Sequence, residues 1–224
     1  MYQIIDGKKI SQEIKDELRE KVTQLKAAGG SRCLAVIQVG ADPASSVYVN
    51  NKKKACEYIG IESLSYGLQE ETTEEELLKL IGELNGKKEV SGILVQLPLP
   101  KHIDEEKILL AISPEKDVDG FHPVSVGNLS IGRPGFVSCT PAGVIQLLKR
   151  SGIEIEGKEC VVLGRSNIVG KPMAMLLLRE NGTVTVCHSR TKNLKEITRR
   201  ADILVVAIGK PKFIDESYVK EVAV

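Results

Sequence analysis

The sequence has no excess charge of one sign. Thirty-one Lys and Arg stand against 30 Asp and Glu, a formal net charge of +1, so bulk electrostatics excludes a strong pull toward nucleic acid or an anionic membrane. No apolar run approaches the roughly 20 residues of a membrane-spanning helix. The first residues, Met1-Tyr2-Gln3-Ile4-Ile5-Asp6-Gly7, lack the basic and apolar regions of a secretory signal. Cysteines are few and odd in number: Cys33, Cys56, Cys139, Cys160 and Cys187. Their long spacings and the lack of any C-x-x-C pair exclude a disulfide framework and a zinc knuckle. Several adjoin apolar strand-like runs, where a thiol acts as a small buried hydrophobe, and a reducing, cytoplasmic setting follows. His102, His122 and His188 are far apart and no acidic cluster has ligand spacing, so no metal site is expected. Internal repeats and low-complexity tracts are also missing.

What is present is a repeated alternation of strand-like and helical patterns. The 224 residues suit one large domain or two small ones. Ile10, Ile14, Leu18, Val22 and Leu25 form one apolar helix face, stopped by Gly29-Gly30. Cys33 to Val39 reads as a strand apolar on both sides, suited to a covered parallel sheet. Ser45 or Ser46 is the expected cap of a helix running to about Tyr58, with Gly60 as its stop. A strand over 61–68 follows. Thr72 or Thr73 with Glu75 and Glu76 then suggests a capping box for a helix reaching about Leu84. Gly92 to Leu97 is a further strand, halted by Pro98 and Pro100. From Pro114 to Pro141 the pattern gives way to a Gly- and Pro-rich stretch expected to be a long functional loop. Beyond it come a helix over 141–150 with Pro141 at its start, a strand at 160–163, a helix from about Gly170, a strand at 183–187, a helix near 194–200 and a strand at 203–208. The fold class is therefore α/β with mostly parallel strands, in two domains, 1–140 and 141–224. Val222-Ala223-Val224 reads as a strand only just begun, so the second domain is expected to be incomplete at its carboxyl end.

Strand 161–163 runs into Gly164-Arg165-Ser166-Asn167-Ile168-Val169-Gly170 and then a helix. This is the context of a dinucleotide loop, in which glycines let the backbone approach a pyrophosphate at a helix N-terminus. The spacing departs from G-x-G-x-x-G: Ser166 takes the second glycine position and the third glycine comes one residue late. The alternative for this stretch is a glycine turn without a ligand. The next strand ends Cys187-His188-Ser189-Arg190-Thr191, without the acid that binds a ribose 2′-hydroxyl in NAD sites. Arg165, Ser189 and Arg190 suit a 2′-phosphate instead, which points to NADP. Against that stands an Arg190 that is a solvated surface cation.

In the first half, Tyr48 and Lys52 are four residues apart and share a helix face, while Lys53 and Lys54 point elsewhere. Lys52-Lys53-Lys54 can be a solvated basic run. Alternatively, burial and neighbouring cations tune Lys52 to shuttle protons near neutrality, oriented by Tyr48. Gln96 interrupts an apolar strand at the end where α/β sheets place ligands, or is a glutamine bonded to backbone. Asp117 and Asp119, in Pro-Glu-Lys-Asp-Val-Asp-Gly, fit a ligand loop or ordinary turn chemistry.

These segments together resemble the bifunctional methylenetetrahydrofolate dehydrogenase/methenyltetrahydrofolate cyclohydrolase family. The matching stretches are 44–55 (ASSVYVNNKKKA), 95–100 (VQLPLP), 114–120 (PEKDVDG), 139–143 (CTPAG), 162–172 (VLGRSNIVGKP) and 187–189 (CHS), in the family's order and spacing. The resemblance implies a folate-binding catalytic domain followed by a Rossmann-like NADP domain. It implies catalytic roles for Lys52, Tyr48, Gln96 and Asp119, with Asp119 on the pterin ring and Asp117 without a firm role. Tyr48, Gln96, Leu97, Pro98, Asp119, Thr140, Pro141 and Gly143 would contact substrate, with Thr140 to Gly143 lining an interdomain cleft. Gly164, Arg165, Ser166, Val169, Gly170, His188, Ser189 and Arg190 would hold NADP.

The implied activity oxidises 5,10-methylenetetrahydrofolate with NADP and hydrolyses the methenyl product to 10-formyltetrahydrofolate, the one-carbon chemistry that supplies purine biosynthesis. Lys52 would handle protons in the second step. The expected partners are tetrahydrofolate derivatives and a second copy of the chain, with no nucleic acid or membrane. Family members run further, so a missing tail is expected to leave a sheet edge exposed. The alternatives are a dehydrogenase-only or NAD-dependent relative, and a truncated form that binds ligand without turnover. A shikimate dehydrogenase-like enzyme is opposed by Gln96-Leu97-Pro98-Leu99-Pro100 and by Asp117-Val118-Asp119-Gly120.

Overall fold

The computed structural model describes residues 2–224, with Ala44 described by its backbone alone. The chain forms two compact units. One is Asp6–Ser125; the other is Val126–Val224 with residues 2–5.

In the first unit, α1 (Gly7–Ala27) begins where the Asp6 carboxylate accepts from the Lys8 and Lys9 amides. It is followed by β1 (Cys33–Val39), α2 (Pro43–Ile59), β2 (Glu62–Leu68), α3 (Glu74–Gly86), β3 (Gly92–Val95) and α4 (Glu105–Ala111). The N-cap of α2 is Asp42 rather than Ser45 or Ser46: its side chain accepts from the Ser45 amide, and Pro43 supplies the preset φ of the first turn. Gly60, at φ 84°, ends the helix in the left-handed conformation, which costs glycine nothing. Thr73 and Glu76 form the reciprocal capping box of α3. The strands pair in parallel in the order β2-β1-β3, with Ile37 opposite Tyr66 on one side and Val95 on the other. The core packs Ala35, Ile37, Ile93 and Val95 of the sheet against Leu77, Ile81, Leu84 and Ile108 of the helices.

The second unit repeats this logic with α5 (Pro123–Ser130, which begins in the first unit), α6 (Cys139–Arg150), β4 (Glu159–Leu163), α7 (Gly170–Arg179), β5 (Thr183–Cys187), α8 (Leu194–Thr198) and β6 (Ile203–Val206). Its parallel sheet has the order β5-β4-β6. In both sheets the first strand is central, and its two neighbours lie on opposite sides. That arrangement opens a crevice at the carboxyl ends of the strands, where α/β folds bind ligands.

Packing refines three expectations. The compact units divide at Ser125/Val126, because Leu129 and Val137 pack with Ile145, Leu148 and Met173 in the second core. The stretch from Pro114 to Pro141 is not one loop, since it contains a 3-10 turn at Pro114–Lys116 and α5. At the chain end, Val222 has φ 63° and is 95% exposed, so strand-like pairing starts only at Val224 and not at Val222. Val224 alone lies beside β6, donating to the Asp202 carbonyl at 2.9 Å and accepting from the Leu204 amide at 2.8 Å. Among the described residues, no helix is long and apolar enough to cross a membrane.

Candidate active site

The chemistry in the first unit collects at the carboxyl ends of β1 and β3. The Gln96 amide donates to the Ile37 carbonyl at 2.8 Å, so the residue after β3 is still tied to the sheet. Its side chain is oriented twice. Nε2 donates to the Leu97 carbonyl at 2.8 Å, which leaves Oε1 to accept from Lys52 Nζ at 3.0 Å. Lys52 is half-buried on α2, while Lys53 and Lys54 are exposed. The run of three lysines is thus one inward amine and two solvated ones. Tyr48, one turn earlier on the same helix, is 63% exposed and leaves its ring free on that face. Leu97 packs against the core, and Pro98, joined to it by a cis peptide, is exposed.

Asp119 completes the cluster. Burial pushes its carboxyl from 3.8 up to about 6, the Lys52 cation pulls it down, and the Asp117 carboxylate pushes it further up. The electrostatic neighbour of Lys52 is therefore an acid and not the cations expected from the sequence. Asp119 sits in a four-residue turn closed by the Gly120 amide donating to the Asp117 carbonyl at 3.1 Å, with Gly120 at φ 67°. Asp at the first position and Gly at the fourth are the residues such turns favour. Asp117 is 2% exposed, and its carboxylate accepts from the amides of Phe121 and His122 and from the Ser125 hydroxyl.

In the second unit, the loop 164–170 joins β4 to α7. A Cβ on Gly164 would come within 2.4 Å of the Ala207 carbonyl oxygen, and φ there is 134°. A Cβ on Gly170 would come within 2.3 Å of the Gly164 oxygen and 2.7 Å of the Arg165 nitrogen. The late third glycine is thus explained: it closes the loop back onto its own first glycine. Ser166, at the second glycine position, uses its hydroxyl to accept from the Val169 and Gly170 amides at 3.2 and 3.3 Å. Arg165 and Ser166 are exposed. On the neighbouring strand, β5 ends in a turn where the His188 amide donates to Thr191 Oγ1 at 2.8 Å. The ring Nδ1 of His188 accepts from the Arg190 amide at 3.1 Å. Ser189 and Arg190 are exposed. Leu163 pairs with Cys187, so Arg165 and Arg190 follow adjacent strand ends. A loop that excludes Cβ atoms, flanked by two guanidinium-bearing residues, fits a dinucleotide with an additional phosphate.

Lys52, Gln96 and Asp119 are brought together, with Tyr48 one helical turn from Lys52. Thr140, Pro141 and Gly143 belong to the second unit, on the first turns of α6. Thr140 and Gly143 are exposed there, and Pro141 is buried along the face of Ile145 and Leu148. Two residues went unnoticed in the sequence. Ser125 closes the Asp117 cluster, and Ser138, 4% exposed, donates to the Ile168 carbonyl at 2.5 Å and so anchors the 164–170 loop. Neither lies in a motif; each bonds across a turn or helix boundary that only folding creates.

Comparison with known proteins agrees with both halves. The family model described as tetrahydrofolate dehydrogenase/cyclohydrolase, catalytic domain, matches residues 5–119. The NAD(P)-binding domain of the same family matches residues 138–224. The bifunctional protein FolD of Lachnoclostridium phytofermentans is 73% identical over 224 residues, covering 100% of this chain and 79% of that one. The crystal structure of the FolD methylenetetrahydrofolate dehydrogenase/cyclohydrolase from Campylobacter jejuni is 53% identical with a TM-score of 0.95, covering 98% and 78%. That of the Trypanosoma brucei dehydrogenase-cyclohydrolase, complexed with NADP cofactor and inhibitor, is 41% identical with a TM-score of 0.92, covering 97% and 75%. Matched by the family's models over both units, the chain belongs to the tetrahydrofolate dehydrogenase/cyclohydrolase family.

Proposed function

We propose that this chain oxidises 5,10-methylenetetrahydrofolate with NADP and then hydrolyses the methenyl product to 10-formyltetrahydrofolate, with Lys52 moving the protons of the second step. The observation that carries the proposal is the Lys52–Gln96 hydrogen bond at 3.0 Å beside the raised carboxyl of Asp119, in a family member. NADP, when bound, supplies the hydride acceptor. The residues suited to hold it are Gly164, Arg165, Ser166, Val169, Gly170, His188, Ser189 and Arg190.

Hydride loss from the bridging methylene carbon gives the methenyl cation directly, so oxidation needs no base on that carbon. Hydrolysis differs. Water adds to the cationic carbon and loses a proton, N5 gains a proton as its bond to that carbon breaks, and the hydroxyl proton leaves to give the formyl group, so one proton is released overall. The Lys52 amine, held at fixed distance by Gln96, accepts the first proton when it is in its neutral form and as the cation delivers one to N5. Asp119 is largely ionised at pH 7 and protonated below about 6. It is suited to accept N–H donors of the pterin ring, while the exposed Tyr48 ring offers a face for it to lie against. Leu97, Pro98, Thr140, Pro141 and Gly143 are the remaining residues assigned to substrate.

The reading includes a cytoplasmic homodimer without nucleic-acid or membrane partners, in keeping with the +1 net charge and the four buried free cysteines. Light scattering on the purified chain tests the dimer. For the activity, the test supplies 5,10-methylenetetrahydrofolate with NADP or NAD and follows formation and decay of the methenyl absorbance. NADP-dependent formation, then decay faster than the uncatalysed rate, is the expected result. Formation without accelerated decay would leave a dehydrogenase alone, and preference for NAD would overturn the cofactor assignment.

A further inference from the structure

Asp117 is used by none of the steps above, yet it is among the few charged or polar side chains in the interior. It is 2% exposed, and Ser125 beside it is 3% exposed. Ser125 Oγ donates to Asp117 Oδ2 at 2.7 Å, the His122 amide donates to the same oxygen at 2.9 Å, and the Phe121 amide donates to Oδ1 at 3.2 Å. The chain before Asp119 is anchored by other means. Asp117 pairs with Ile93 of β3, and Val118 lies so close over Gly92 that a Cβ there would meet it at 2.3 Å. The chain after Asp119 passes through Gly120 in the left-handed conformation, and the Asp117 carboxylate then gathers the next two amides and the first turn of α5. Asp119 is thus the one residue of the turn whose side chain is left to face Lys52, held on both sides.

We propose that Asp117, closed by Ser125, is a positioning residue of the folate site: its buried carboxylate fixes the turn that presents Asp119 to Lys52. This rests on the folate reading given above. The two charged groups acting on Asp119 are Lys52 on α2 and Asp117 in its own turn, and they act in opposite directions. The opposition gives the proposal a sign. Removing the Asp117 charge lowers the pH at which Asp119 titrates; removing the Lys52 charge raises it.

The test uses the full chain with carboxyl-labelled aspartate, reading the Asp119 midpoint by carbon NMR, with Asp119→Asn assigning the signal. Steady-state kinetics with the folate substrate and NADP are run alongside. Asp117→Asn, nearly isosteric, is expected to lower the midpoint from about 6 by roughly half a pH unit or more. Ser125→Ala keeps the charge and loosens the turn, so it is expected to raise KM for folate several-fold, with kcat within about twofold and the midpoint unmoved. A midpoint unchanged in Asp117→Asn, or a Ser125→Ala enzyme with wild-type KM, overturns the proposal. Should Asp117→Asn fail to fold, Ser125→Ala decides through KM. If the wild-type chain shows no folate turnover, the functional reading fails, while the NMR midpoint still decides the role of Asp117.

Discussion

Replacing Asp119 by Asn should stabilise the protein at neutral pH while damaging its function. The carboxyl of Asp119 is raised from 3.8 to about 6 by burial, against the pull of Lys52. Roughly two units at ~1.36 kcal/mol each come to ~3 kcal/mol by which the fold favours the protonated form. The sign follows from linkage. A carboxyl whose folded value lies above its unfolded value stabilises fully below pH 4, and that contribution is lost as pH rises through about 6. Above pH 7 the native state carries the whole cost of an ionised, half-buried acid. Asn has no proton to lose and no charge to bury.

The measurement is urea unfolding of wild type and Asp119→Asn at several pH values from 4.5 to 7.5, taking the difference at each pH. The difference matters because Asp16, Glu74, Glu76, Asp202 and Asp215 are held below their ordinary values by hydrogen-bond partners and titrate with the opposite sign. They are common to both proteins and cancel. The variant should gain on wild type by ~2 kcal/mol across the range, with most of the change below about pH 6 and little above pH 7. A flat difference, or one that favours wild type as pH rises, would refute the assignment of Asp119 as an acid buried against its charge.

Other perturbations test the remaining parts. Gln96→Leu leaves Lys52 Nζ without its 3.0 Å acceptor; losing a charged hydrogen bond of ~1.5–3 kcal/mol should cut cyclohydrolase turnover roughly 10–100-fold. Gly170→Ala drives a methyl group into the Gly164 backbone; it should cost ~1–3 kcal/mol in a urea melt and weaken NADP more than folate. Arg165→Ala and Arg190→Ala should each reduce NADP affinity about tenfold or more in a binding titration, with little effect on NAD, because only NADP carries the 2′-phosphate.

The fold was legible wherever hydrophobic period and punctuation agreed. Strands 33–39 and 183–187 have the bounds their sequences suggest, because β-branched and apolar residues, broken only by Gln38, run between turn residues. The α2 cap was misplaced because two serines follow Asp42 and Pro43, and any of the three polar side chains is a plausible cap until the proline's place is known. Helix α4 was missed because seven residues give too few turns for a period to show. The Gly and Pro content of the 114–141 stretch suggests a loop, yet Pro123 begins a helix.

At the site, Lys52, Gln96 and Asp119 were named from motif and strand-end logic, and the structure gathers them. The sequence put cations around Lys52, where the fold supplies an amide oxygen and a carboxyl. Asp117 looked like turn chemistry, which it is. Its burial and its bond to Ser125 depend on the start of α5 folding back over the turn, which no local pattern encodes.

The central claim is that the Lys52 amine serves hydrolysis of the methenyl product and not the hydride step. The direct measurement is the two rates of Lys52→Met, in NADP-dependent methenyl formation and in methenyl decay, each compared with wild type. Loss of accelerated decay with dehydrogenase activity substantially retained is the predicted result. Equal and complete loss of both rates, in a variant that still binds NADP and unfolds cooperatively, would contradict it.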